Sequence, residues 1–162
     1  MSTQKAMKNE TMFMGKYGRF AAMVATSTVA MFFLMYLNVY RLDHIYFSET
    51  RVYMALIMGA VMAGIMLGFM LNMYGNRKVN TSIFVGSIIV FALSLWLVRS
   101  QTTVGDIAWM KAMIPHHSIA ILTSERANLS DPRVQELAGE IIESQVREID
   151  EMKALIEELE NR

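Results

Sequence analysis

Three long apolar segments without a charged residue lie in the first hundred positions of this 162-residue chain. They cover residues 20–40, 52–74 and 81–98, and basic residues stand within a few positions of both ends of each segment. A helix needs about 20 apolar residues to cross the hydrocarbon core of a bilayer, which is close to the length of all three segments. The sequence therefore predicts three transmembrane helices between a tail of residues 1–19 and a polar segment of residues 99–162.

The charges are distributed unevenly along the chain, although their formal sum is zero. Residues 1–100 contain nine Lys and Arg against three Asp and Glu, whereas residues 101–162 contain six against twelve. Cytoplasmic segments of membrane proteins carry an excess of basic residues, which here lies in the N-terminal tail and in the loop at residues 75–80. We therefore expect the tail and that loop in the cytoplasm, and the first loop and residues 99–162 outside it. The acidic soluble part also argues against nucleic-acid binding, since phosphate contacts need Lys and Arg.

The last sixty residues predict a hairpin of two helices, so the predicted fold class is all-α. The first helix, at about residues 103–128, begins with Thr103 and Asp106, which resemble a capping box. The second, at about residues 131–160, begins with Asp131 as the N-cap, followed by proline at the first helical position. Apolar residues recur every three or four positions in the second helix, which is the pattern of an amphipathic helix.

A hairpin of this size is too small to bury both of its apolar faces. Below about 70–80 residues a hydrophobic core is marginal without disulfides, metals or oligomerisation, and this chain has no cysteine. We therefore expect the hairpin to complete its core as a four-helix bundle in a homodimer or higher homo-oligomer, or by packing on another protein.

One face of the first hairpin helix gathers side chains that bind soft metal ions. At 100° per residue, Asp106, Met110, Met113 and His117 fall within about 60° of one another, and His116 lies about 100° from that face. Thioether sulfur selects Cu(I), and imidazole accepts copper among other metals. The chain has sixteen methionines and no cysteine, so methionine is its only sulfur ligand. This pattern predicts a copper site for which Ag(I) would compete, although methionines on a helix face more often fill a core.

The second hairpin helix carries polar residues inside its apolar stripe. Gln145, Glu148 and Met152 fall within about 60° of one another, in register with the apolar residues that we expect to be buried. A buried carboxylate needs a partner, and a bond to the N–H of a metal-ligating histidine is a common one. We therefore expect Glu148 and Gln145 to support the site and Met152 to complete it from the opposite helix.

Two further features lie outside the hairpin. Methionines recur every four residues in the second apolar segment and wind around the helix, which favours packing over ion transfer. They are Met54, Met58, Met62, Met66 and Met70. Gly64 and Gly68 form a GxxxG motif, with Gly59, Ala60 and Ala63 nearby, which favours close packing of membrane helices. In the first loop, Asp43 and His44 are candidates to lend ligands to the hairpin, although a lone loop histidine is usually solvated.

Residues 109–121 and 142–152 resemble the domain-of-unknown-function 305 family. The matching positions are Asp106, Met110, Met113, His116, His117, Gln145, Glu148 and Met152. The resemblance implies a ferritin-like fold and a relationship to periplasmic copper-binding proteins, and the whole chain resembles a bacterial subgroup with three N-terminal transmembrane helices. It thus implies an inner-membrane protein with a cytoplasmic N-terminus and a periplasmic hairpin. Larger members carry more than one such segment, which strengthens the expectation of a dimer here.

Three functions follow from these patterns. The first is a membrane-anchored protein that binds Cu(I) or Cu(II) and buffers or transfers it, with no enzymatic activity implied and with a copper-handling membrane protein as a candidate partner. The second is a non-catalytic subunit or assembly factor of a membrane complex. The third, an oxidoreductase with a di-metal centre, is disfavoured because such bundles use Glu-x-x-His motifs, which this chain lacks.

Overall fold

A computed structural model describes the backbone of residues 2–161 and the side chains of residues 15–161. Within that part of the chain every regular element is helical, which confirms the predicted all-α class. The five α-helices are α1 (Ser2–Leu34), α2 (Glu49–Phe69), α3 (Arg77–Ser100), α4 (Asp106–Arg126) and α5 (Pro132–Glu160). Two short 3₁₀ helices follow α1 and α2, at Leu42–His44 and Leu71–Met73.

Three helices are long and apolar enough to cross a membrane. They are Gly15–Leu34 within α1, Glu49–Phe69 and Arg77–Ser100. Most of their side chains are not covered by protein, as in helices that face lipid. The basic tail that we expect in the cytoplasm includes Lys5 and Lys8, which lie outside the residues whose side chains are described.

The helix ends differ from the limits of the apolar segments because capping groups, rather than hydropathy, decide where a helix begins. α2 begins three residues before its apolar segment, where the Ser48 hydroxyl accepts a hydrogen bond from the backbone N–H of Arg51 at 3.3 Å. α3 begins four residues early, since the Asn76 side-chain oxygen accepts from the backbone N–H of Lys78 at 3.1 Å. α1 ends six residues early, in hydrogen-bonded turns.

Close packing between α1 and α2 occurs at Gly59, which lies one turn before the GxxxG motif rather than inside it. A Cβ atom at Gly59 would collide with the hydroxyl of Thr28 on α1, whereas Cβ atoms at Gly64 and Gly68 would meet nothing within 4 Å. The small residue is therefore needed where a polar side chain of the neighbouring helix projects toward it. The motif residues face open space in the described part of the chain.

The methionines of α2 and of the 3₁₀ segment that follows it are divided between packed and exposed positions. Met66 and Met70 pack against an apolar cluster, whereas Met54 and Met73 are exposed. The cluster consists of Phe20, Ala63, Leu67 and Tyr74. This division agrees with a row of side chains that winds around its helix.

The chain divides into two compact units. One contains most of α1 and α2 together with α3, and the other contains α4, α5 and residues 33–52. The second unit therefore includes the α1–α2 loop, which we define as residues 35–48. Hydropathy groups this loop with the membrane region, because the loop lies between two apolar segments in the sequence. Hydropathy does not show which soluble surface a loop contacts.

The two hairpin helices begin differently. The Asp131 side chain accepts a hydrogen bond from the backbone N–H of Arg133 at 2.9 Å, and proline opens α5, which confirms the predicted N-cap. At α4 the predicted capping box was wrong, because the N-cap is Gly105 and Asp106 is already helical. Residues 101–104 instead form a turn, closed by a 3.0 Å bond from the backbone N–H of Val104 to the carbonyl of Gln101.

Candidate metal site

The hairpin has one apolar core, and it contains the predicted methionine ligands. Its buried members are Met110, Ile114, Ile121, Ile149, Met152 and Ile156. Met113 is half-buried and packs against this core, as does Tyr46 from the α1–α2 loop. Met110 and Met152 therefore pack as core residues, and their thioethers share an apolar cluster with Met113.

His117 and Glu148 meet across the hairpin, as the two helix faces predict. Nδ1 of His117 lies 3.2 Å from Oε2 of Glu148, but the carboxylate is not aligned with the ring for a hydrogen bond. Nδ1 is buried and has no hydrogen-bond partner among the described residues. The other carboxylate oxygen of Glu148 accepts a hydrogen bond from the Ser144 hydroxyl at 2.7 Å. The structure thus contains a buried imidazole nitrogen that lies close to a carboxylate but makes no hydrogen bond among the described residues.

The antiparallel pairing places two methionines near this histidine. Met113 precedes His117 by one turn on α4, and Met152 follows Glu148 by one turn on α5. Because Glu148 stands opposite His117 and the helices run in opposite directions, Met152 lies at the level of Met113. Met113, His117, Glu148 and Met152 therefore occupy two consecutive levels of the hairpin, and we call them the four-residue patch.

The remaining predicted site residues are placed less favourably. Asp106 is exposed at the first residue of α4, about 16 Å along the helix axis from His117. Met110 is about 10 Å from His117 along the same axis. His116 is exposed, and its ring centroid lies 6.0 Å from that of His117. Gln145 is half-buried on α5, three residues before Glu148.

The electrostatics of the patch favour a neutral imidazole. Burial lowers the pKa of His117 below its ordinary value of 6.5; the Glu148 carboxylate opposes this shift and His116 adds to it. A histidine must be deprotonated at the coordinating nitrogen to bind a metal, so this shift favours ligation at neutral pH. No group of three or more His, Asp or Glu side chains gathers within the described residues.

The α1–α2 loop reaches the hairpin through a buried polar cluster that the sequence patterns missed. Nδ1 of His44 lies 2.9 Å from the Ser118 hydroxyl oxygen, which also accepts a hydrogen bond from the backbone N–H of Tyr40 at 2.7 Å. Ser118 is fully buried and His44 is 5% exposed, so the expectation of a solvated loop histidine was wrong. The only signal in the sequence was a serine on the flank of an apolar helix face.

Asp43 is also committed to the protein rather than to a metal. Its carboxylate accepts a 2.7 Å hydrogen bond from Nζ of Lys153 on α5, and that bond lowers the pKa of Asp43 to about 2. Nε2 of His44 lies 4.0 Å from the same carboxylate. Both candidate ligands of the first loop therefore contact hairpin residues, and neither belongs to the four-residue patch.

The side of the hairpin opposite the loop is uncovered within the described residues. Four large apolar side chains there are between 36% and 54% exposed. They are Trp109, Leu137, Ile141 and Leu155. Trp109 lies one turn before Met113, and the other three fall within about 20° of Glu148 on α5. This open face therefore borders the four-residue patch.

Comparison with known proteins identifies the family. Residues 97–161 match the family described as Domain of unknown function (DUF305). The chain is also similar to an uncharacterized protein of Acanthamoeba polyphaga mimivirus, with 32% identity over 108 residues, or 65% of this chain and 69% of the relative. No solved structure matches the chain. On these two similarities, the chain belongs to the DUF305 family.

Proposed function

We propose that this protein is a membrane-anchored, outward-facing copper-binding protein that buffers Cu(I) or Cu(II) or passes it to a partner. The observation that carries the proposal is the buried Nδ1 atom of His117, which has no hydrogen-bond partner among the described residues. A buried polar atom that makes no hydrogen bond is uncommon in folded proteins, and an unseen ion is one explanation for it. Coordination of a metal ion would satisfy it.

The chemistry of the neighbouring side chains favours a soft ion as cargo. Met113 and Met152 would supply thioether sulfur, His117 would supply the imidazole nitrogen, and Glu148 would orient the ring or balance charge. Mg²⁺ and Ca²⁺ need several hard oxygen ligands, which this patch lacks. Ag(I) is soft in the same way and would compete with Cu(I). Met110 and His116 are then secondary ligands, with Asp106 and Gln145 farther out.

A competition titration of the full chain in lipid nanodiscs tests the proposal. Cu(I) is titrated in the presence of a chromophoric chelator, and we expect about one ion bound per hairpin or per dimer. The double substitution Met113→Leu and His117→Ala should abolish binding, whereas Met54→Leu, at an exposed position of α2, should leave it unchanged. Unchanged affinity in the double variant would rule out these ligands.

The open face supports a homodimer in which two hairpins form a ferritin-like four-helix bundle. Exposed apolar side chains grouped on one side of a hairpin are typical of interaction surfaces, and a second copy would present a matching set. Leu137→Asp should convert a dimer into a monomer, as measured by native mass spectrometry. Val146→Asp is the control, since Val146 is 44% exposed on another side of α5. A monomeric wild-type protein would rule out the dimer.

The proposed location is the inner membrane of a bacterium, with the hairpin in the periplasm. Three crossings put the α1–α2 loop and the hairpin on the same side, which agrees with the contacts of the loop with Ser118 and Lys153. Because the chain has no cysteine, single substitutions provide unique thiols. In intact cells Glu143→Cys should react with an impermeant maleimide, and Arg77→Cys should not. The reverse result would invert the topology.

The open face also favours a second function, that of a non-catalytic subunit or assembly factor of a membrane complex. In that case the apolar face would be covered by another protein instead of a second copy. Purification from native membranes distinguishes the two functions. A stoichiometric partner that is lost in Leu137→Asp would favour the subunit, and its absence would favour the metal-binding homodimer.

A further inference from the structure

The α1–α2 loop and α5 hold the same turn of α4 from two sides. Ser118 directly follows His117, so their side chains point about 100° apart around the helix. The Ser118 hydroxyl bonds to the loop through Tyr40 and His44, while His117 faces Glu148 on α5. We call the contacts of Tyr40, His44 and Ser118 the loop clasp.

The two side chains that bond in the loop clasp, those of His44 and Ser118, are buried, as expected for a contact that stays formed. The Ser118 oxygen accepts the Tyr40 N–H, so its own proton is available to Nδ1 of the neutral His44 ring. Both side chains are at least nine-tenths buried, which makes loss of either bond costly. The aspartate of the Lys153–Asp43 pair is half-exposed, so this ion pair contributes little to the attachment of the loop. Tyr46, packed on the hairpin core, is the other firm anchor of the loop.

We propose that the α1–α2 loop is a positioning element of the metal site: the loop clasp fixes the rotation of α4 at His117 and keeps its imidazole directed toward α5. The inference rests on the proposed function. Coupling between two binding equilibria is reciprocal. If the loop, when bonded to Ser118, strengthens metal binding at His117 by some factor, metal binding must stabilise the bonded loop by the same factor.

Amide hydrogen exchange of the full chain in nanodiscs tests this coupling, with Ag(I) as a probe without redox chemistry. The Tyr40 amide hydrogen reports on the clasp directly, because it is bonded to Ser118. In the wild type, Ag(I) should slow its exchange. In Ser118→Ala, exchange at Tyr40 should be about tenfold or more faster, since buried partners lose their hydrogen bonds. Ag(I) affinity should fall as well.

Two controls separate positioning from general damage to the fold. Thr123→Ala removes an exposed hydroxyl of α4 that bonds only to its own helix, and it should change neither Tyr40 exchange nor Ag(I) affinity. His44→Asn keeps a polar atom near the position of Nδ1 and should retain most of the affinity, whereas His44→Phe keeps the ring and loses the bond. This order distinguishes the hydrogen bond from packing.

The outcomes also separate this inference from the proposed function. Ag(I) affinity that stays at the wild-type value in Ser118→Ala and His44→Phe, while Tyr40 exchange accelerates, would overturn the positioning role and leave the metal site intact. Wild-type protein that binds neither Ag(I) nor Cu(I) would overturn both.

Discussion

Replacing Ile149 with alanine should loosen the hairpin more than any exposed substitution in α5. The side chain is 2% exposed and packs in the core with Met110 and Met152 from both helices. Three carbon atoms are lost, at about 0.8 kcal/mol each, or about 2.4 kcal/mol. The cavity that remains raises the total loss of stability to about 3–4 kcal/mol.

Native-state hydrogen exchange of α5 measures this loss in the full chain. A factor of ten corresponds to about 1.4 kcal/mol, so the slowest α5 amides should exchange about a hundred- to a thousandfold faster in Ile149→Ala. Val146→Ala is the matched control, because Val146 is 44% exposed on the same helix and alanine favours helix. Its effect should stay within about 0.5 kcal/mol. Equal exchange in both variants would refute the assignment of Ile149 to the core.

Two further predictions concern the membrane unit and pH. Gly59→Ala should lower the thermal stability of the full chain in detergent, because the added methyl group meets Thr28. Gly64→Ala is the control and should leave the thermal stability unchanged, because a Cβ atom there meets nothing within 4 Å. Equal losses in the two variants would contradict the close approach at Gly59. Burial lowers the pKa of His44 and His117 below 6.5. Below pH 6.5 the unfolded chain therefore binds more protons than the native hairpin. The free energy of unfolding should be highest above pH 6.5 and should fall as the pH drops below that value. Denaturation of the metal-free protein at pH 7.5 and 5.5 measures this, and a more stable hairpin at pH 5.5 would contradict it.

The sequence predicts the helices well because their signals are local. Hydropathy identifies α1 to α3, and the Asp131–Pro132 pair marks the first turn of α5 with the correct cap. Helix periodicity also brings His117 and Glu148 together, since both lie on faces that the apolar residues define. These features depend on neighbours within a few turns, which a single sequence contains.

The contacts that were missed or misassigned depend on residues far apart in the chain. The close helix contact occurs at Gly59 because Thr28 on the neighbouring helix projects there. The α4 cap is the local exception, because a turn between Gln101 and Val104 stands in place of the capping box. The burial of His44 depends on Ser118, which lies 74 positions away. No local pattern predicts which surface a loop covers, so the loop clasp became visible only in three dimensions.

X-ray absorption at the copper edge tests the central claim most directly, because it identifies the atoms bound to the ion. Full-length protein loaded with one equivalent of Cu(I) should show both sulfur and nitrogen neighbours. The sulfur signal should fall in Met113→Leu, and the nitrogen signal should fall in His117→Ala. A first shell of oxygen and nitrogen alone, or a spectrum that neither substitution changes, would contradict a thioether–imidazole copper site on this hairpin.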